Sequence, residues 1–249
     1  MRARRRPNAR NGNAPMSGAT RAQRGQAATE FIIVAPIVLL LCLGLIQFGL
    51  LYQAKSTLNY AALMAARAGA VNHGTKSAML SGLARGLAPL FTHQTGLSAQ
   101  QIAILSAQTE ARNPGITKLT VVSPTAAAFS DFARTNYYAG KTVREIPNDT
   151  LMYRDNTPGN GSRISIQDAN LLKISVQYCY ELYVPFINRV IYSLVNGTSD
   201  IFSTGSVDGS LDFGTDGNSC RAYSAISGGY RIPIQAEAVV RMQSPFRGG

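Results

Sequence analysis

Hydrophobic and polar positions divide this chain at Lys55. From Phe31 to Ala54 the run FIIVAPIVLLLCLGLIQFGLLYQA carries no charged side chain. About 20 apolar residues at about 1.5 Å rise each cross a bilayer, so the run is long enough to span one with some tilt. A cleaved secretory signal has an apolar core of roughly 7–15 residues followed by a small-x-small site. This core is longer, and Gln53-Ala54-Lys55 is no such site. Helical character begins at about Gln26 and continues past the span through STLNYAALMAARAGAV, a stretch of strong helix formers. Ala61, Ala62, Ala65, Ala66 and Gly69 recur at helical spacing and leave one face nearly smooth. Close helix packing and plain alanine propensity account for that face equally well. Pro36 removes one backbone donor inside the span, which predicts a kink there.

Beyond the span, SAMLSGLARGLAPLF and SAQQIAILSAQTEAR are amphipathic and predict two helices, the second with Ser98 as its N-cap. Asn113-Pro114-Gly115 predicts a turn, ITKLTVVS a half-buried strand and TAAAFSDFART a short helix. The clearest strand is residues 171 to 184, where Leu172, Ile174, Val176, Tyr178, Tyr180 and Leu182 alternate with Lys173, Ser175, Gln177, Cys179 and Glu181. That period places Cys179 on the polar side, away from the main core. Pro185 closes the strand, FINRVIYSLV reads as a short amphipathic helix, and RIPIQAEAVVRMQ as a last strand whose Pro233 marks an edge or a strand entry. No internal repeat is evident. The predicted architecture is α+β, a long N-terminal transmembrane helix followed by a small exported domain with an antiparallel sheet and short helices.

Charge changes the picture only once it is located. Residues 1–25 hold seven arginines (Arg2, Arg4, Arg5, Arg6, Arg10, Arg21 and Arg24) and no acid, so this leader supplies +7 of the formal +11. Arginines just before an apolar span hold the N-terminus in the cytoplasm. With no second span after Lys55, the expected topology is one pass, N-terminus in and C-terminus out. No basic patch interleaved with aromatics follows, so nucleic acid is not an expected partner. The leader has the composition of a disordered segment, and Met16 offers a start alternative to Met1. The expected division is a leader at 1–25, a transmembrane and juxtamembrane helix at 26–71, and an exported domain at 72–249.

The inventory for catalysis is thin. His73 and His93 are the two histidines, placed in a helical juxtamembrane region, and there is no H-E-x-x-H, C-x-x-C or G-x-S-x-G. Thr204-Gly205 and Ser227-Gly228-Gly229 lack the lysine and spacing of a phosphate loop and read as turns. Asp200, Asp208, Asp212 and Asp216 do not follow an EF-hand pattern and read as solvated acids. No enzyme activity, metal or cofactor is expected. Cys42 lies in the span as a small apolar residue. Cys179 and Cys220 fall on the exported side, where an oxidising compartment permits a disulfide, and their pairing is expected. It would close a loop containing Asn196-Gly197 and the run from Gly205 to Gly217. Glu30, at the mouth of the span, is the unusual acid. As a first-turn complement to the helix dipole it contributes about 0.3–1 kcal/mol, whereas an unpaired acid inside hydrocarbon costs several times that.

Arg24-Gly25-Gln26-Ala27-Ala28-Thr29-Glu30-Phe31 followed by a hydrophobic helix resembles the processing site of type IV prepilins. The resemblance implies that a membrane aspartyl prepilin peptidase cuts after Gly25 on the cytoplasmic face. Gln26 then becomes the new N-terminus and Glu30 the fifth mature residue, the family's characteristic acid. Phe31 after the acid, Pro36, the stretch Leu45-Ile46-Gln47-Phe48-Gly49 and the segment from Ala61 to Ala70 are similar to the TadE-like pseudopilins of the tight-adherence (Tad, type IVc, Flp-type) pilus system. The likeness runs to about Val71, and the closing Val240-Arg241-Met242-Gln243-Ser244 is also similar. At Gln47 the chain departs from relatives that carry an acid there. What the resemblance implies is a minor pseudopilin of the bacterial inner membrane with a periplasmic C-terminal domain, acting in pilus biogenesis for adherence. Its implied partners are the prepilin peptidase, other pilin and pseudopilin subunits, and the Tad secretion machinery. Two other readings stay open, an uncleaved signal-anchor protein whose domain binds an envelope or secretion partner, and a tethered adhesin-like binding module.

Overall fold

A computed structural model describes residues 23–92, 96–138, 140–196 and 217–248. Met1, Met16, the leader arginines up to Arg21, His93, the run from Gly205 to residue 216 and Asp200, Asp208, Asp212 and Asp216 lie outside the described residues. By packing, the chain separates into Met1–Leu43 and Gly44–Gly249.

Helix α1 runs from Gln23 to Val71 and passes Pro36 without a break. Around it in sequence order come α2 (Lys76–Leu87), a 3-10 turn at Ala88–Phe91, α3 (Leu97–Arg112), β1 (Thr117–Ser123), α4 (Ala126–Phe132), β2 (Arg134–Tyr138) and β3 (Lys141–Glu145). A second 3-10 turn at Leu151–Tyr153 precedes α5 (Ile166–Ala169), β4 (Leu171–Glu181), α6 (Ile187–Asn196), α7 (Gly217–Ser227) and β5 (Arg231–Arg241). Strands β1, β4 and β5 form an antiparallel sheet with β4 in the middle, and β2 and β3 form a separate hairpin. The chain is α+β.

The smooth face of α1 is a packing face. Ala61, Ala62, Ala65 and Ala66 are fully buried, and α2 lies against them through Gly82 and Gly86. A Cβ at Gly86 would stand 2.4 Å from the Cα of Ala61, and one at Gly82 would stand 2.7 Å from the backbone oxygen of Met64. Gly69 makes the matching approach to Met79 and to Leu172 of the central strand. Small residues on both helices permit this backbone-to-backbone crossing, so packing accounts for the face as well as propensity.

Several sequence expectations need correction. The N-cap of α3 is Gly96, at φ 129°, so Ser98 lies inside the helix. The helix at TAAAFSDFART stops at Phe132 because Arg134 already pairs with Glu145 in the hairpin. Strand β4 ends at Glu181, where the pairing with β5 ends at Arg231. Cys179 is not on an open polar face: it is buried, because α7 covers that part of the sheet and Cys220 joins it in a disulfide. The expected edge at Pro233 holds, since β5 is an outer strand.

His73 lies past the end of α1 with φ 57°, not in a helix. The Gly74 amide donates to the Gly69 carbonyl, a Schellman-type ending with histidine in the left-handed position. The C-terminal tail then caps the helix. The Gln243 and Ser244 amides and the Ser244 hydroxyl donate to the Ala70 carbonyl, while the His73 amide donates to Ser244 Oγ.

The same tail locks the hairpin. Glu145 is fully buried and accepts from Asn136 Nδ2 at 2.8 Å and from Arg247 Nε at 2.9 Å. Burial raises the Glu145 carboxyl, but hydrogen bonds from Asn136, Arg247 and Tyr138 outweigh it and leave it below its ordinary value of 4.5. A depressed carboxyl contributes stability that is present above the unfolded value and lost as pH falls through the folded one. Arg247→Ala is therefore expected to cost about 2–3 kcal/mol at neutral pH, the upper figure being limited by the partial exposure of Arg247. It should also flatten the loss of stability below pH 4.5, as checked by urea unfolding across the acid range.

Candidate processing and assembly site

The N-terminal candidates all sit on α1. The described part of α1 starts at Gln23, and the Gly25–Gln26 bond lies within its helical backbone. Glycine weakens a helix, so the backbone at Gly25 opens at lower cost than a run of alanine would. Glu30 is exposed one turn on, and Phe31 is exposed beside it. From Phe31 to Cys42 every residue except Ala35 is exposed, including Ile32, Ile37 and Leu41. A core helix of a water-soluble protein hides one apolar stripe, whereas this segment presents apolar side chains all round. Among the described residues it is the one helix long and apolar enough to cross a membrane. Cys42 is free and exposed on it.

From Gly44 onward α1 belongs to the folded domain. Gln47 is 0% exposed although flanked by Ile46 and Phe48, and its Oε1 accepts from the Val184 amide at 2.9 Å. Ile187, at the start of α6, packs over Gly44, with its Cδ1 3.8 Å from where a Cβ would stand. Sequence reasoning marked Gln47 only as a departure from relatives. The signal it carried was a lone amide in an apolar run, which calls for a hydrogen-bond partner.

Cys179 on β4 and Cys220 on α7 are bonded across a separation of 41 residues. Closing a loop of that size stabilises by about 4 kcal/mol in the chain-entropy account. Beside the disulfide, Arg231 donates to Glu181 Oε2 at 2.7 Å and to the Cys179 carbonyl at 3.3 Å, and it lies over the Tyr223 ring. The Tyr178 hydroxyl donates to Glu110, and burial together with that carboxylate pushes the phenol well up. This cluster ties α3, β4 and β5 together. Arg231 is shared between two carboxylates, Glu181 at 2.7 Å and Glu110 at 3.8 Å. Among the described residues no group of three or more His, Cys, Asp or Glu side chains is placed to hold a metal.

The exposed apolar helix and the disulfide in the C-terminal domain are consistent with a single-pass membrane protein whose domain lies outside the cytoplasm. No curated protein and no solved structure matches the chain. The family comparison does match, over residues 25–67, which lie within α1. Residues 25–67 of this chain are a domain of the TadE-like protein family, a pilus assembly family not known as enzymes.

Proposed function

We propose that the protein is a minor pseudopilin of Tad (Flp-type) pilus assembly, matured by prepilin peptidase between Gly25 and Gln26. The observation that carries the reading is the start of the family domain at Gly25, five residues before Glu30 and directly ahead of the exposed apolar helix. Until it is cut, the arginine leader anchors the N-terminus on the cytoplasmic side of the inner membrane and opposes extraction. Cleavage removes those arginines and frees an amine at Gln26. Glu30 then pairs with the amine of a neighbouring subunit in a partly dehydrated setting, where charges attract strongly and an unmatched one is costly. Pro36 supplies a bend in the packing helix. The periplasmic domain, stapled by Cys179–Cys220, sets the assembly with other pilin subunits and the Tad secretion machinery.

The test is the intact mass and N-terminal sequence of membrane-extracted protein from cells with and without the peptidase. The expected result is a start at Gln26 that requires the peptidase. The same unprocessed start in both strains would instead favour an uncleaved anchored periplasmic protein that binds an envelope or secretion partner.

A further inference from the structure

We propose that the segment from Tyr183 to Leu194 is a lipid-docking element seated in the outer leaflet of the bilayer that α1 crosses. The proposal rests on the reading that the apolar part of α1 spans a membrane. About 20 residues are needed to cross the hydrocarbon, and the uncharged run is Phe31 to Ala54. Any window of that length within the run contains both Gly44 and Gln47. Gln47 also lies about 12 Å along the helix before Lys55, the first charge after the run, at about 1.5 Å per residue. Yet both residues are covered by the domain, through Val184 on Gln47 and Ile187 on Gly44. The turn that makes those contacts must therefore share their depth.

Its composition fits that depth. Tyr183 is 64% exposed, Phe186 75% and Leu194 62%, while Ile187 is turned inward. Aromatic side chains of this kind sit at the headgroup boundary, and Ile191 and Val195 of α6 face the domain core, so Tyr183, Phe186 and Leu194 are the apolar side chains left for the lipid. Phe186 holds φ 66°, a conformation that is costly for a bulky residue, in a turn that leaves its ring outward. Irregular backbone at membrane depth requires internal hydrogen-bond partners. Here Val184 donates to Gln47, Ile187 to the Pro185 carbonyl and Asn188 to the Val184 carbonyl, and Pro185 has no amide to satisfy. Arg189, exposed on α6, supplies a cation for lipid phosphate.

The chain has no tryptophan, so a single introduced one reports its own surroundings. The full-length protein is reconstituted in phosphatidylcholine–phosphatidylglycerol vesicles, with the phosphatidylcholine either unmodified or brominated on its acyl chains near the headgroup or near the bilayer centre. Phe186→Trp and Tyr183→Trp test the element, Leu39→Trp tests the span, and Tyr153→Trp, at an exposed site, serves as the unquenched reference. Emission from Phe186→Trp and Tyr183→Trp should fall at least about twofold with shallow bromines, as expected for rings 5–10 Å into the boundary. Leu39→Trp should respond most to deep bromines. Quenching of Leu39→Trp with none at either turn position would overturn the proposal and leave the span standing. No quenching at any of the three would remove both. Blue-shifted, unquenched emission from the turn variants that changes on dilution of the protein in lipid would assign the surface to a second copy of the chain and equally overturn lipid docking.

Discussion

Glu30→Ala is expected to leave the protein inserted, of normal abundance and cut at its N-terminus, while pilus number falls by about tenfold or more. A factor of ten corresponds to about 1.4 kcal/mol in an assembly equilibrium, and a single charge match in a dehydrated boundary readily exceeds that. Insertion should not change, because the apolar run from Phe31 to Ala54 is untouched and removing an acid from its mouth lowers the cost of entry. The folded domain should not change either, since it begins at Gly44 as a packed unit. Membrane fractionation, N-terminal sequencing and counts of surface pili separate these effects. Normal piliation in the variant would remove the pairing of Glu30 with a neighbour's amine, and loss of the protein from the membrane would make Glu30 an insertion residue instead.

The second large effect concerns the crossing of α1 and α2. Alanine in place of glycine in an exposed helix stabilises by up to about 1 kcal/mol. At Gly86 the sign should reverse, because the new methyl would stand 2.4 Å from the Cα of Ala61, which is backbone and cannot rotate aside. Forcing the helices apart is an overpacking event costing about 3 kcal/mol or more, net of the propensity gain. For a domain of this size that corresponds to a melting temperature lower by about 10 °C. Gly49→Ala is the matched control, since nothing stands within 4 Å of its would-be Cβ. Circular dichroism melts of both variants in detergent decide the matter, and equal melting of Gly86→Ala and the parent would mean that the helices do not cross as described.

The long helix and the three main strands were legible because their signals are local. An uncharged run from Phe31 to Ala54 excludes water-exposed alternatives wherever it sits, and the alternation from Leu172 to Leu182 commits one face to a core. The candidate residues Gly25, Gln26, Glu30 and Phe31 lie in linear order along one helix, so proposing them needed no folded arrangement. The hairpin of β2 and β3 was not. Its first strand is exposed throughout, so no apolar period marks it, and it is held by a carboxylate whose partner, Arg247, comes from the far end of the chain. Helix α7 was missed for a related reason: its role is to cover Cys179, and a cover is defined by what lies beneath it.

By itself, then, the sequence determined where the chain meets apolar surroundings, which segment bears the TadE-like signature, and that β4 and β5 would be strands. Tertiary structure alone decided that the alanine face of α1 is spent on α2, that His73 is a helix end clasped by Ser244 rather than a ligand, and that the Gln47 side-chain oxygen accepts from Val184. The physical reason is one of range. Burial periodicity and propensity act between residues a turn or a pleat apart. The backbone crossing of Gly86 on Ala61 joins two separate helices, and the tail that caps α1 and the amide partner in the apolar run come from more than a hundred positions away.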